Sequence, residues 1–322
     1  MDLNIYSHPA CLGHELHIRR FEERKGRLLA LTRLFNDLGL SVDEDIVPVT
    51  KAQLSQIHTP RYIDTVEAMS RLGPVRNRVA SFTNPFVQWY TRVSPGSYDA
   101  ARYAAGSVCK AVEDTMSGRC TRAFAAIRPP GHHAGPERGE GFCIFNNIAM
   151  GAVHALNQGA RRVAIVDFDR HHGNGTQDII TNRDDSRMML VSSYQAGCKY
   201  DKNHGLSGVL APNIVTVPIA EGSTFGAVAA QYRQFVIPAL RDFKPELILI
   251  SAGFDMHEAD PLSDIKLKSA DYYHLTHMLV EAAEELCGGR IVSALEGGYD
   301  EAALAESVDY HLQALRGVAP KL

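Results

Sequence analysis

The sequence predicts an α/β protein of three layers, with a central, mostly parallel sheet between helices. Short apolar runs at 122–127, 163–166, 188–192, 214–217, 247–251 and 291–294 alternate with longer segments of helical periodicity. These runs are apolar throughout and lack clean alternation, which is how strands covered on both faces read. The polar residues that stand out fall just past the carboxyl ends of the runs, where open parallel sheets bind ligands.

The elements follow in order. Residues 3–6 open with a short strand. Residues 15–38, rich in Arg, Glu and Leu with apolar positions at helical spacing, predict a helix. His58-Thr59-Pro60 marks a helix start, with Thr59 as the cap and Pro60 in the first turn. Residues 80–95 read as irregular, with Pro85 and Pro95 around an aromatic cluster of Phe82, Phe86, Trp89 and Tyr90. A helix is expected over 97–116, and others over 144–156, 225–243, 269–286 and 301–315. With no internal repeat, low-complexity tract or linker, residues 1–322 are expected to form a single domain.

Composition narrows the class. The chain is 45% hydrophobic and 22% charged with a net charge of -4, ordinary for a soluble globular protein. No basic tail exists to follow a phosphate backbone, so no nucleic-acid partner is expected. No apolar run approaches the ~18 residues of a membrane span. The N-terminus lacks a basic region followed by an apolar stretch, so no secretory signal is expected. Six scattered cysteines, with no Cys-x-x-Cys pair, read as reduced, and the expected location is cytoplasmic.

The chemistry concentrates in glycine-flanked loops after the apolar runs. Asp169 and His171 lie two apart on an extended segment, so both side chains can reach one ion. Asp255 arrives from another strand end. Two carboxylates and one imidazole suit a borderline divalent metal, zinc first, with iron or cobalt able to satisfy the same donors. Such a metal lowers the pKa of water and polarises a carbonyl. Taken alone, Asp169-x-His171 could equally be a hydrogen-bonded loop anchor. The additional ionisable groups favour the metal.

His132 and His133 sit between Gly131 and Ala134, behind Pro129 and Pro130. One can take a proton from water while its neighbour stays charged or shares in protonating a leaving amine. Each needs an acceptor behind it. Asp167 and Asn174 are the candidates, in either pairing. The competing reading makes both rings metal ligands or loop anchors. Tyr299, after Gly297 and Gly298, could donate its phenolic hydrogen to an oxyanion, or could be a packed core tyrosine. The set is what water-driven amide hydrolysis requires. Gly173-Asn174-Gly175 follows a strand but lacks the rest of a dinucleotide fingerprint.

Four blocks carry a resemblance: Arg128-Pro-Pro-Gly-His-His-Ala-Gly-Pro136 with Gly141-Phe-Cys-Ile-Phe-Asn-Asn147 behind it, Val166-Asp-Phe-Asp-Arg-His-His-Gly-Asn-Gly-Thr-Gln177, Ser251-Ala-Gly-Phe-Asp255, and Leu295-Glu-Gly-Gly-Tyr299. The chain resembles the histone deacetylase superfamily, of arginase–deacetylase fold. Its wording is similar to the bacterial class II branch, which also holds acetylpolyamine amidohydrolases. Weaker likeness reaches His8-Pro9-Ala10-Cys11 and Val93-Ser94-Pro95-Gly96, so it spans almost the whole chain.

The resemblance implies that Asp169, His171 and Asp255 hold catalytic zinc. It also implies that His132 and His133 form an acid–base pair backed by Asp167 and Asn174 respectively, and that Tyr299 polarises the carbonyl. Phe142 would line a narrow channel. A structural potassium would lie around Asp167, Asp169, His171 and Ser192. The implied reaction releases a short acid from an N-acylated amine, with an acyl-lysine side chain as the leading substrate and an acetylpolyamine as the alternative. A non-catalytic acyl-amine binding protein is the third reading. A homo-oligomer is compatible with all three.

Departures from the family pattern fall at the rim. Arg170 stands where relatives carry an apolar or aromatic residue, either paired beneath the site or altering its electrostatics. Tyr194 replaces a histidine, residues 197–205 replace a proline–glycine loop, and Arg19-Arg20-Phe21-Glu22 replaces a His-Pro-Glu pattern.

Overall fold

A computed structural model describes residues 2–15, 22–72, 84–87, 91–198 and 208–320. Arg19, Arg20, Phe21, Phe82, Trp89, Tyr90 and most of the 197–205 segment lie outside these residues. One nine-stranded sheet organises the rest. Its strands are β1 Leu3–Tyr6, β2 Val42–Asp43, β3 Arg122–Ala125, β4 Val163–Asp167, β5 Met188–Gln195, β6 Gly208–Ala211, β7 Ile214–Ile219, β8 Leu247–Ala252 and β9 Ile291–Leu295. They lie in the order β2-β1-β3-β9-β8-β4-β5-β7-β6, and every pair is parallel except β6 with β7.

This order places the site. From β4 the chain steps outward through β5 to β7, whereas β8 and β9 step the other way. The sheet therefore has a switch point between β4 and β8, where side chains leaving the strand ends find a crevice. Register fixes the neighbours there: Asp167 pairs with Ser251 on one side and Ser192 on the other. Every residue of β4, β5, β8 and β9 is buried, which explains why these strands read as continuous apolar runs.

Helices cover both faces. Ser97–Met116 packs on β1, β3 and β9, and Asn147–Asn157 on β4 and β8. Ser269–Cys287 packs on β8 and Glu301–Arg316 on β3, with Gly26–Asp37 against the last of these. Local chemistry sets their starts. Thr59 Oγ1 accepts from the Tyr62 amide ahead of Pro60. Asn146 Oδ1 accepts from the Ala149 amide at 2.9 Å, so that helix begins at Asn147 and not at 144. Asp300 Oδ1 caps Ala302 and Ala303.

Two expectations are corrected, and one helix adds to those expected. Among the described residues the helix predicted over 15–38 is present at Gly26–Asp37, and it does not extend back over 22–25, where Glu23 turns inward to a buried pairing with Arg128. The helix predicted over 225–243 is two pieces, Phe225–Gln231 and Ile237–Phe243, joined by a π-helical turn at Tyr232–Val236. Pro238 has no amide hydrogen and would crowd the carbonyl four residues back, and the wider turn absorbs that. The helix Asn174–Arg183 was not predicted, since its buried face, Asn174, Gly175, Thr176, Ile179 and Ile180, is too polar to show an apolar stripe.

No disulfide links any of the six cysteines. Among the described residues no helix is long and apolar enough to cross a membrane.

Three buried histidines tie the scaffold together. His311 bridges Thr276 and Ser293, His58 bridges Gly135 and Asn146, and His14 contacts Ser97. Burial holds them near pKa 3, 4 and 4 respectively, so each is neutral when folded. A folded pKa below the unfolded value gives stability that is full above about 6.5 and lost as pH falls. Melting temperature should therefore drop steadily from pH 6.5 to 4. His311→Gln should lower it at neutral pH and make the acid slope shallower, as calorimetry across pH would register.

Candidate active site

Beyond the end of β4 the backbone stays extended, and its amides turn toward carboxylates. The Asp169 amide donates to Asp167 Oδ1 at 3.0 Å and the His171 amide to Asp169 Oδ1 at 2.8 Å. From the neighbouring strand ends, the Gly297 amide donates to Asp169 Oδ2 at 2.8 Å, and Asp255 Oδ1 accepts the Arg170 amide at 2.9 Å. Two carboxylates and an imidazole are thereby drawn to one point. One ligand atom each from Asp169, His171 and Asp255 lies within 4.8 Å of the others, and all three residues are buried.

These residues fit a metal ion on three counts. Asp255 Oδ2 is buried without an aligned hydrogen bond, and the His171 ring faces it with Nδ1 at 3.1 Å. A buried carboxylate oxygen met so poorly is costly, and a cation between the ring and the carboxylates would meet it better. Glycines form the cradle: a Cβ on Gly297 would stand 2.5 Å from oxygens of both Asp169 and Asp255, and one on Gly253 would stand 2.1 Å from Asp169 Oδ2. The donor set, two oxygens and one nitrogen, suits zinc and leaves positions open.

The charges respond to this crowding. Burial works to raise the Asp169 carboxyl, but the charges of His132 and His171 and the His171 hydrogen bond hold it far below its ordinary range. Burial and the Asp169 charge push Asp255 up. His171 overcomes burial through both carboxylates and rises to about 9. A divalent ion would take the place of that proton.

A second trio of donors, His132, Cys143 and Glu296, is also close together. It fits a metal poorly. Glu296 Oε2 already accepts the amides of Gly131 at 2.7 Å and His132 at 3.1 Å. Burial pushes the Cys143 thiol well above its usual value, and its Sγ donates to the Gly141 carbonyl.

Beside the first trio stand His132 and His133, their ring centres 4.0 Å apart and both 3% exposed. His132 Nδ1 lies 2.9 Å from Asp167 Oδ2, and His133 Nδ1 lies 2.5 Å from Asn174 Oδ1. The two rings are driven apart electrostatically. Burial opposes a charge on His132, but Asp167, Asp169 and Glu296 raise it well above the ordinary value. Burial and the charges of His132 and His171 push His133 well below it. Such divergence separates a charged partner from a neutral base.

Tyr299 closes the other side. Its amide donates to Asp260 Oδ2 at 2.6 Å, and the Arg27 guanidinium lies 4.9 Å over its ring. Burial keeps the phenol protonated. Half-buried Phe142, at φ 68°, sets its ring edge-on to Tyr299 at 5.6 Å between centres. Ser192 Oγ bonds His172 Nδ1 at 2.9 Å, one strand over from Asp167.

Residues 21–315 match the model of the histone deacetylase domain. The chain belongs to the histone deacetylase family. It is 34% identical over 308 residues to a probable deacetylase of Archaeoglobus fulgidus, covering 93% of this chain and 82% of that protein. It is 33% identical over 307 residues to a histone deacetylase-like amidohydrolase of Pseudomonas aeruginosa, covering 91% and 74%. The crystal structure of the HDA15 HD domain superposes with a TM-score of 0.87 at 29% identity, over 100% of this chain and 91% of that one.

Within this histone deacetylase family chain, four residues shape the site that the sequence reading did not single out. Glu296, Asp260, Glu140 and Arg27 are buried and reach site residues through backbone or side-chain hydrogen bonds. Glu296 and Glu140 directly precede glycines of the recognised blocks, and that adjacency was the available signal. Arg170 points sideways. Its guanidinium bonds Gln195 at 2.7 Å and Asp264 at 2.9 Å, with Nη1 3.3 Å from His171 Nε2.

Because the Gly297 cradle has no room for a Cβ, Gly297→Ala should lower zinc affinity at least tenfold while leaving the far-ultraviolet circular dichroism unchanged; zinc titration calorimetry is the check.

Proposed function

We propose that this chain is a metal-dependent deacylase of linear amides, with residues 1–322 forming one catalytic domain. The observation that carries this reading is the His133 ring, backed by Asn174, standing beside a buried two-carboxylate, one-imidazole trio. Asp169, His171 and Asp255 would hold the cation. Zinc is the first choice, and Fe2+ or Co2+ would satisfy the same donors. When bound, the cation supplies Lewis acidity toward the acyl carbonyl and the attacking water.

The chain's own groups do the proton work. His133 Nε2, the ring nitrogen away from Asn174, takes a proton from the water as its oxygen attacks the acyl carbon. His132, held charged against Asp167, steadies the developing negative charge. Tyr299, kept protonated by burial, donates its hydroxyl hydrogen toward the oxyanion. As the C–N bond breaks, His133 returns its proton to the nitrogen, giving a free amine and a short carboxylic acid. Phe142 and Tyr299 would flank the channel through which the acyl chain enters. A structural K+ would lie in the loop around Asp167, Asp169 and His171, with Ser192 alongside on the neighbouring strand.

Among amines, an acyl-lysine side chain is the leading substrate and an acetylpolyamine the alternative; a protein that binds acyl-amines without turnover is the third possibility. Six cysteines without a disulfide suit a cytoplasmic setting. Steady-state comparison of an acetyl-lysine peptide with N-acetylputrescine tests the ranking. A higher kcat/KM for the peptide supports it, and a strong preference for the polyamine reverses it. Bound zinc with no hydrolysis of either would favour the binding role. Tyr299→Phe should keep the metal and lose kcat by about 100-fold or more, the scale of one oxyanion donor; unchanged turnover would remove Tyr299 from the chemistry.

A further inference from the structure

Asn174 presents a problem of orientation. A neutral amide can offer His133 either its oxygen or its NH2 group, and only the oxygen fixes the imidazole with its proton on Nδ1. The other choice would put the proton on Nε2, where the proposed chemistry needs a lone pair. Asn174 is fully buried, so solvent does not choose for it.

Glu140 makes the choice. Its Oε1 accepts a hydrogen bond from Asn174 Nδ2, while Asn174 Oδ1 faces His133 Nδ1 at 2.5 Å. Turning the amide over would set its oxygen against a carboxylate oxygen and its NH2 against the ring N–H. Glu140 is 3% exposed, and Arg138 meets its other oxygen at 2.9 Å, which supplies a counter-charge from the surface side. The turn that carries it is pinned by the Cys143 amide on the Glu140 carbonyl at 2.9 Å and the Gly139 amide on the Phe86 carbonyl at 2.9 Å. The same turn touches the histidine directly: a Cβ on Gly141 would fall 2.1 Å from His133 Cδ2. One short segment thus sets the ring's position by contact and its tautomer through the amide.

We propose that Glu140 is a positioning residue for His133, acting through Asn174 as a three-member relay of carboxylate, amide and imidazole. The amide transmits direction, and Glu140 supplies the negative charge that an aspartate in place of Asn174 would deliver directly. This inference rests on the deacylase reading above for its kinetic consequence only.

A mutant cycle between Glu140 and Asn174, in the zinc-loaded full chain, tests it. Glu140→Met should lower kcat roughly 10- to 100-fold, the scale of a hydrogen bond to a charged group, with KM and zinc stoichiometry retained. Asn174→Asp should lower kcat alone, because the new carboxylate would face Glu140, and should raise it in the Glu140→Met background. Glu140→Gln, closer in shape, serves if the methionine variant does not fold, and should fall between. Independently of turnover, the His133 Nδ1 proton should give a low-field proton NMR resonance that moves upfield in Glu140→Met. Unchanged kcat with an unmoved resonance would overturn the proposal, as would the same effect of Asn174→Asp in both backgrounds. If the wild type hydrolyses no acyl-amine, the deacylase reading fails, and the resonance alone still decides the role of Glu140.

Discussion

Two buried carboxylates aimed at one point are the constraint around which this molecule is arranged. Asp169 follows β4 and Asp255 follows β8, on the two sides of the sheet's switch point. Like charges out of water repel and lose their hydration, and backbone amides meet only part of that cost. The amides of His171 and Gly297 bond Asp169, and that of Arg170 bonds Asp255. Asp255 Oδ2 has no aligned hydrogen bond and faces the His171 ring at 3.1 Å. The glycines at 253 and 297 keep the space around these oxygens clear. Geometry, a poorly met acceptor and cleared space all fit a divalent cation.

The proposed acid–base groups depend on that arrangement. Asp167, Asp169 and Glu296 surround His132 and favour its charged form, which in turn disfavours a charge on its neighbour His133. The N-terminal segment contributes from a distance. Arg128 bonds both oxygens of Glu23 at 2.5 and 2.8 Å, and Arg27, also paired to Glu23, reaches the carbonyls of Gly298 and Glu296. Buried charges of this kind destabilise strongly when one partner is removed, by about 3–5 kcal/mol. They give the Tyr299 loop a rigid backing, with Asp260 holding its amide from the other side.

Much of this was legible in the sequence, and the reason is physical. A strand buried on both faces is mostly apolar, so β4, β8 and β9 announce themselves, and the polar residues at and after their ends mark the carboxyl end of the sheet. What could not be read were features whose signal is weak or non-local. The edge strands β2 and β6 are short and partly exposed, so they show no apolar run. The helix at Asn174–Arg183 buries polar residues because it faces the site. Glu140, Glu296 and Asp260 act by meeting groups distant in sequence, and nothing in a carboxylate's immediate neighbours says whether it turns inward. The rim around Arg170 is a partial case: its pairing to Gln195 and Asp264 is visible only once β5 and the loop after β8 are brought together.

The most direct test is a crystal of the zinc-loaded protein measured on both sides of the zinc absorption edge. The account predicts one strong anomalous peak bounded by Asp169, His171 and Asp255, at zinc–ligand distances of about 2.0–2.2 Å. A fully occupied peak at His132, Cys143 and Glu296 instead, or no peak between the three in a folded, zinc-saturated crystal, would contradict it.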